Sequence, residues 1–60
     1  MTPEELRTLR KQAGLTQEQL ADLLSIDRMT VSRWETGKVP IDTITAIAIH
    51  AVVDAHLENK

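Results

Sequence analysis

Apolar residues recur along this chain at intervals of three and four, in four runs separated by only a few polar positions. Leu6, Leu9 and Ala13 make the first run, and that spacing places them on one face of a helix. Thr2-Pro3-Glu4-Glu5 opens it: Thr2 suits the cap, Pro3 the first turn, and Glu5 closes a capping box. Gly14 ends it, since glycine accepts the left-handed conformation that stops a helix. Thr16-Gln17-Glu18-Gln19 is a second capping box, and the helix it starts buries Leu20, Ala21 and Leu24. Ser25-Ile26-Asp27 reads as a three-residue turn, with Asp27 placed to cap a third helix that reaches Trp34 or Glu35 before Gly37. After Pro40 a fourth helix runs over about residues 41–58. Nothing alternates with the period of a strand, so the fold class is all-α, a small bundle of about four helices.

The third helix has two unlike sides. Val31 and Trp34 face inward at i, i+3, which turns Arg28, Met29, Ser32 and Arg33 outward together. Two helices joined by a short turn, with a polar outer face on the second, form a helix-turn-helix unit, here about residues 16–36. A helix fits the major groove of B-DNA, and only its exposed side chains reach base edges. Arginine there can grip O6 and N7 of guanine, methionine can touch a thymine methyl, and serine can reach a base or a phosphate. These four residues are the candidate base readers.

The fourth helix carries more apolar surface than one core can use. At about 100° per residue, Ile41, Ile44, Ile47, Ala48, Ala51, Val52 and Ala55 fall on a broad arc and Ala46, Ile49, Val53 and Leu57 on another. The broad arc is expected to cover the bundle and the second to meet a second copy across a two-fold axis. Length supports pairing. A domain of 60 residues buries a modest share of its surface, and with no cysteine it has no disulfide to compensate.

Charge adds a complication. The net charge is −2 and the pI about 5.5, whereas a nucleic-acid binder is more often basic. Asp42, Asp54 and Glu58 against Lys60 account for that balance, and residues 1–38 are neutral overall. A DNA-facing front with an acidic rear fits the pattern, as does an ordinary solvated surface.

Other chemistry finds little support. The longest nearly apolar run, Ala46 to Val53, is interrupted by His50 and falls well short of a membrane span. With no leader in view, a cytoplasmic location is expected. His50 and His56 point in different directions, and His50 with Asp54 lacks a third ligand, so neither metal nor other cofactor is expected. No nucleophile–base arrangement or phosphate loop points to an enzyme, and no small-molecule ligand is expected.

The blocks Gly14-Leu15-Thr16-Gln17-Glu18-Gln19-Leu20-Ala21 and Val31-Ser32-Arg33-Trp34-Glu35-Thr36-Gly37-Lys38 resemble the Cro/C1-type (XRE) helix-turn-helix family of phage and bacterial regulators. The likeness covers about residues 4–40 and agrees in residue type and in block separation. It implies a lambda-repressor-like fold, with residues 1–60 as a single DNA-binding domain and the last helix used for dimerisation. By the same resemblance, Arg28, Met29, Ser32 and Arg33 match the base-reading positions. Gln17 matches a phosphate clamp at a helix start, a place that suits an anion on physical grounds too. Thr36 and Lys38 match a loop on the DNA backbone, Thr30 joins the phosphate-contacting set, and Arg10 with Glu35 matches an internal ion pair. Two departures stand out: Ser25 occupies a turn position that is usually glycine, and one long helix replaces the two shorter ones that normally follow.

The function implied is a homodimeric repressor on a palindromic, inverted-repeat operator in double-stranded DNA. Autoregulation of a phage or anti-CRISPR type of operon falls within that reading. The alternative is an antitoxin or other protein-interaction module whose helix-turn-helix autoregulates its operon.

Overall fold

The computed structural model describes residues 1–59 and contains four helices: α1 (Pro3–Gln12), α2 (Gln17–Leu24), α3 (Arg28–Glu35) and α4 (Thr43–Glu58). Local chemistry sets most of their ends. Thr2 and Thr16 each accept from the backbone N–H three residues on, while Glu5 and Gln19 accept from the cap backbone in return. Asp42 caps α4 by accepting from the Thr45 N–H at 2.7 Å. Asp27 holds the cap position of α3 in extended backbone, but its side chain makes no cap hydrogen bond, contrary to the expectation for it. Its carbonyl accepts from Thr30 N–H at 3.0 Å, a bond spanning three residues where the α-helix spans four.

One core joins all four helices. Leu6 of α1, Leu20 and Ala21 of α2, Val31 and Trp34 of α3, and Ile49 and Val53 of α4 are buried together with Ala13 and Leu15. Leu9, Leu24 and Ile26 pack against this cluster while partly exposed. The α2–α3 pair is the most closely associated, so the turn between them is the rigid corner of the molecule.

That corner depends on Ser25, which takes φ 58° and ψ 42°, the left-handed conformation. It is the lone non-glycine residue at positive φ among the described residues. The conformation costs an ordinary residue roughly 1–2 kcal/mol, which glycine avoids at the expense of greater chain entropy when unfolded. Ser25→Gly should therefore stabilise the fold by about 0.5–1 kcal/mol. Urea denaturation would register this as a higher midpoint at unchanged slope.

The two faces of α4 are the reverse of the sequence expectation. Ile49 and Val53 are fully buried in the core of the chain, and Ala46 is half-buried beside them. Ile44 and Ile47 are 80% and 64% exposed, and Ala48, Ala51 and Ala55 face solvent as well. Ile49, Val53 and Ala46 are thus internal packing residues, not a contact for a second copy. Leu57 lies on the same side but is 45% exposed, beyond the reach of the core. Ile49 and Val53, one turn apart, put two branched side chains at the centre of the contact with α2, while Ile41 and Val52 of the broad arc reach the core only at its flank.

Candidate nucleic-acid interface

The chemistry-bearing surface is built around α3. Val31 is fully buried and Trp34 nearly so, and these anchor the inner side of the helix. Arg28, Met29 and Arg33 consequently stand in solvent, with Met29 50% exposed. Ser32 is half-buried between the two sides, and Thr30 is half-buried near the start of the helix. Met29 thus shares one exposed helix surface with two guanidiniums, an apolar side chain beside two cations.

The C-terminal end of α3 is held by a polar cluster under this surface. Glu35 is 4% exposed and Arg10 is 9% exposed. Arg10 Nε donates to Glu35 Oε2 at 2.7 Å and Nη2 donates to Oε1 at 3.0 Å, a two-pronged contact. The remaining nitrogen, Nη1, donates to the Leu15 carbonyl at 2.9 Å. Arg7, which the sequence reading did not single out, adds an Nη2 hydrogen bond to the Glu35 carbonyl at 3.1 Å. Its Nε also lies 3.6 Å from Glu35 Oε1. The only sequence hint was its place one turn before Arg10 on α1, where both reach the same side.

Gln17 belongs to the same cluster. Its Nε2 donates to Glu35 Oε1 at 3.2 Å, and the residue is half-buried. One amide hydrogen is thereby committed inward, while the position of the residue at the first turn of α2 remains. The cluster ties α1, the start of α2 and the end of α3 together, which fixes the tilt of the exposed arginines on the body of the protein. Burial by itself would raise the Glu35 pKa. Hydrogen bonds from Arg10 and Gln17, and the charges of Arg10 and Arg7, outweigh it and hold the carboxyl below its usual value.

Past α3 the chain turns at Gly37, at φ 79°, and there Thr36 and Lys38 are both exposed. The Thr36 hydroxyl donates to the Arg33 carbonyl at 3.2 Å, capping the helix end. Lys38, two residues further on, is exposed. The described residues enclose no pocket and hold no group of three potential metal ligands, and none of their helices is long and apolar enough to cross a membrane.

A helical pair at a rigid corner, presenting cations from the second helix, defines a helix-turn-helix protein. The helix-turn-helix family model matches residues 6–58, and the chain belongs to this XRE-type helix-turn-helix family. It is 51% identical over 35 residues to the HTH-type transcriptional activator BcrR of Enterococcus faecalis, which covers 58% of this chain and 17% of that protein. It is 38% identical over 58 residues to YqaE of Bacillus subtilis, described as an uncharacterized HTH-type transcriptional regulator, covering 97% of this chain and 50% of that protein. The chain thus spans half or less of the length of these curated relatives. No solved structure matches it closely enough to count.

Proposed function

We propose that this protein reads a short inverted-repeat operator as a homodimer, with α3 of each copy in the major groove, and represses transcription by occupying that site. The observation that carries this reading is the division of α3. Arg28, Met29 and Arg33 are exposed, while Val31, Trp34 and Glu35 lock the opposite side to the body. A recognition surface needs both halves, since base readout requires side chains that reach and a backbone that does not yield. Ser32 completes the base-reading set at the rim of that surface. Gln17, Thr30, Thr36 and Lys38 are assigned to phosphates, which position the helix without reading sequence. The second amide hydrogen of Gln17 is the one available to a phosphate.

Residues 1–60 act in this reading as one DNA-binding unit in the cytoplasm. With no effector proposed, occupancy follows protein concentration, because dimerisation and DNA binding are linked by mass action. Autoregulation would then follow if the operator lies at the protein's own promoter.

Binding-site selection from a random duplex library, at about 150 mM salt to suppress non-specific attraction, tests the reading. The expected product is an inverted repeat with half-site centres about 34–36 Å apart, one helical turn. A library that yields no consensus would remove operator reading. A reporter driven from the selected site should fall when the protein is expressed, and a rise would reverse the proposed sign.

A further inference from the structure

The last carbonyls of an α-helix have no donor within the helix and must find one elsewhere. At the end of α3, Ser32 C=O accepts from Thr36 N–H at 3.0 Å, Arg33 C=O from Lys38 N–H at 3.0 Å, and Trp34 C=O from Gly37 N–H at 3.3 Å. The Glu35 carbonyl receives no backbone donor among the described residues, and Nη2 of Arg7 on α1 meets it at 3.1 Å. A cation there also suits the negative end of the helix dipole. Arg7 therefore ties α1 to the point where the chain leaves α3 and enters the turn through Thr36 and Lys38. The start of α1 borders the same turn, since Pro3 Cγ lies 3.8 Å from where a side chain at Gly37 would begin.

Capping uses only part of the Arg7 guanidinium. Its Nε stands 3.6 Å from Glu35 Oε1, beyond hydrogen-bond range, and that oxygen already accepts from Arg10 Nη2 at 3.0 Å and Gln17 Nε2 at 3.2 Å. Nη1 of Arg7 donates to nothing among the described residues. The Arg7 side chain is 48% exposed, against 11% for that of Arg10. Charge is uneven as well. Among the described residues Glu35 is the one carboxylate paired with either arginine, and Arg10 grips both of its oxygens. Arg7 thus leaves the cluster with a surplus positive charge that is open to solvent.

The position of that charge indicates what it meets. Arg7 reaches the Glu35 carboxylate beside Gln17 and the Glu35 carbonyl beside Thr36, so it stands between two segments assigned above to phosphates. We propose that Arg7 is a further phosphate-contacting residue, holding the DNA backbone beside Gln17 with its free N–H groups while Nη2 caps α3. This rests on the DNA-binding reading above and extends its surface from α3 to α1. A guanidinium suits both tasks, because its donors form a rigid fork that serves a carbonyl on one side and leaves others for a phosphate.

Substitution separates the two tasks. Arg7→Gln removes the charge, and Arg7→Lys keeps it on a side chain without the fork. The probe is a short duplex of unselected sequence, so the outcome does not depend on an operator being found. Fluorescence anisotropy across a range of salt concentrations gives the affinity and its salt slope. Arg7→Gln should weaken binding about five- to tenfold at about 150 mM salt and reduce the salt slope by about 1 for each chain bound. Arg7→Lys should retain the slope of the parent. Thermal unfolding of the same proteins reports the cap, and the Ser25→Gly background keeps both variants folded if the cap proves costly to lose. A slope left unchanged by Arg7→Gln, with a lowered melting temperature or without one, would overturn the phosphate contact and leave the DNA-binding reading standing. A parent chain that binds no duplex even at low salt would overturn both.

Discussion

Glu35→Ala should leave little folded protein at ordinary temperature. Removing the carboxylate strands the Arg10 guanidinium, which is 9% exposed and has two of its three nitrogens bonded to Glu35. Breaking one side of a buried pair costs about 3–5 kcal/mol. A chain of 60 residues has a total stability of roughly 3–9 kcal/mol at about 0.05–0.15 kcal/mol per residue. The loss is therefore comparable with everything the fold has. Replacing both partners, as Arg10→Met with Glu35→Leu, should restore much of it, because no charge is then left buried without a counter-charge. Thermal unfolding followed by circular dichroism would rank the three proteins, and a single variant as stable as the parent would refute the argument.

The same pair predicts a pH dependence. Against burial, which would raise it, the Arg10 and Gln17 hydrogen bonds and the nearby arginine charges hold the Glu35 carboxyl below its ordinary value in the folded state. A depressed carboxylate contributes stability that is fully present above its unfolded value and is lost as pH falls through the folded one. The parent should accordingly keep its stability from neutrality down to the ordinary carboxylate range and lose it progressively below that. The double variant should lack this part of the acid limb. Denaturant titrations from neutrality down to about pH 3 would separate the two curves.

How much of this could be read from the residues varies with how local the cause is. Thr2 with Glu5 and Thr16 with Gln19 cap helices through bonds spanning three residues, so their effect is written in adjacent letters. The left-handed turn at Ser25 could be anticipated because the family resemblance puts glycine at that position. Val31 and Trp34 were legible as inward-facing because the other residues of that helix are polar or charged, apart from Met29. On α4 the same rule fails. Both sides are apolar, so periodicity identifies two candidate faces without choosing between them, and the width of an arc does not say which one the core takes. Arg7 and the inward bond of Gln17 were hidden for another reason: each depends on Glu35 arriving from a different helix, which only the tertiary packing determines. The positions proposed as base readers, by contrast, follow from which side of α3 the core claims.

Those positions carry the largest expected effect on binding. Arg28→Ala and Arg33→Ala should each cost about 1–3 kcal/mol per half-site, the value of a good two-pronged grip on guanine. That is roughly 5- to 150-fold, and it is squared on a full operator because a homodimer loses the contact twice. Both side chains are exposed and stand outside the buried cluster, so melting temperature should be unchanged and the loss read as binding alone. The discriminating feature is where the loss falls. If an arginine reads a base, its removal weakens the selected operator, relaxes preference at one base pair per half-site, and leaves non-specific binding nearly intact. Lys38→Ala should do the opposite: weaken every duplex about equally and reduce the salt slope by about 1 for each contact removed. Fluorescence anisotropy with the operator, a single-base variant and an unrelated duplex, each at two salt concentrations, contains the whole comparison. A uniform loss for Arg28→Ala and Arg33→Ala would reassign both to phosphates and shift base reading to Met29 and Ser32. A loss confined to one base pair would instead identify the guanine each arginine reads, and with it the register of α3 in the groove.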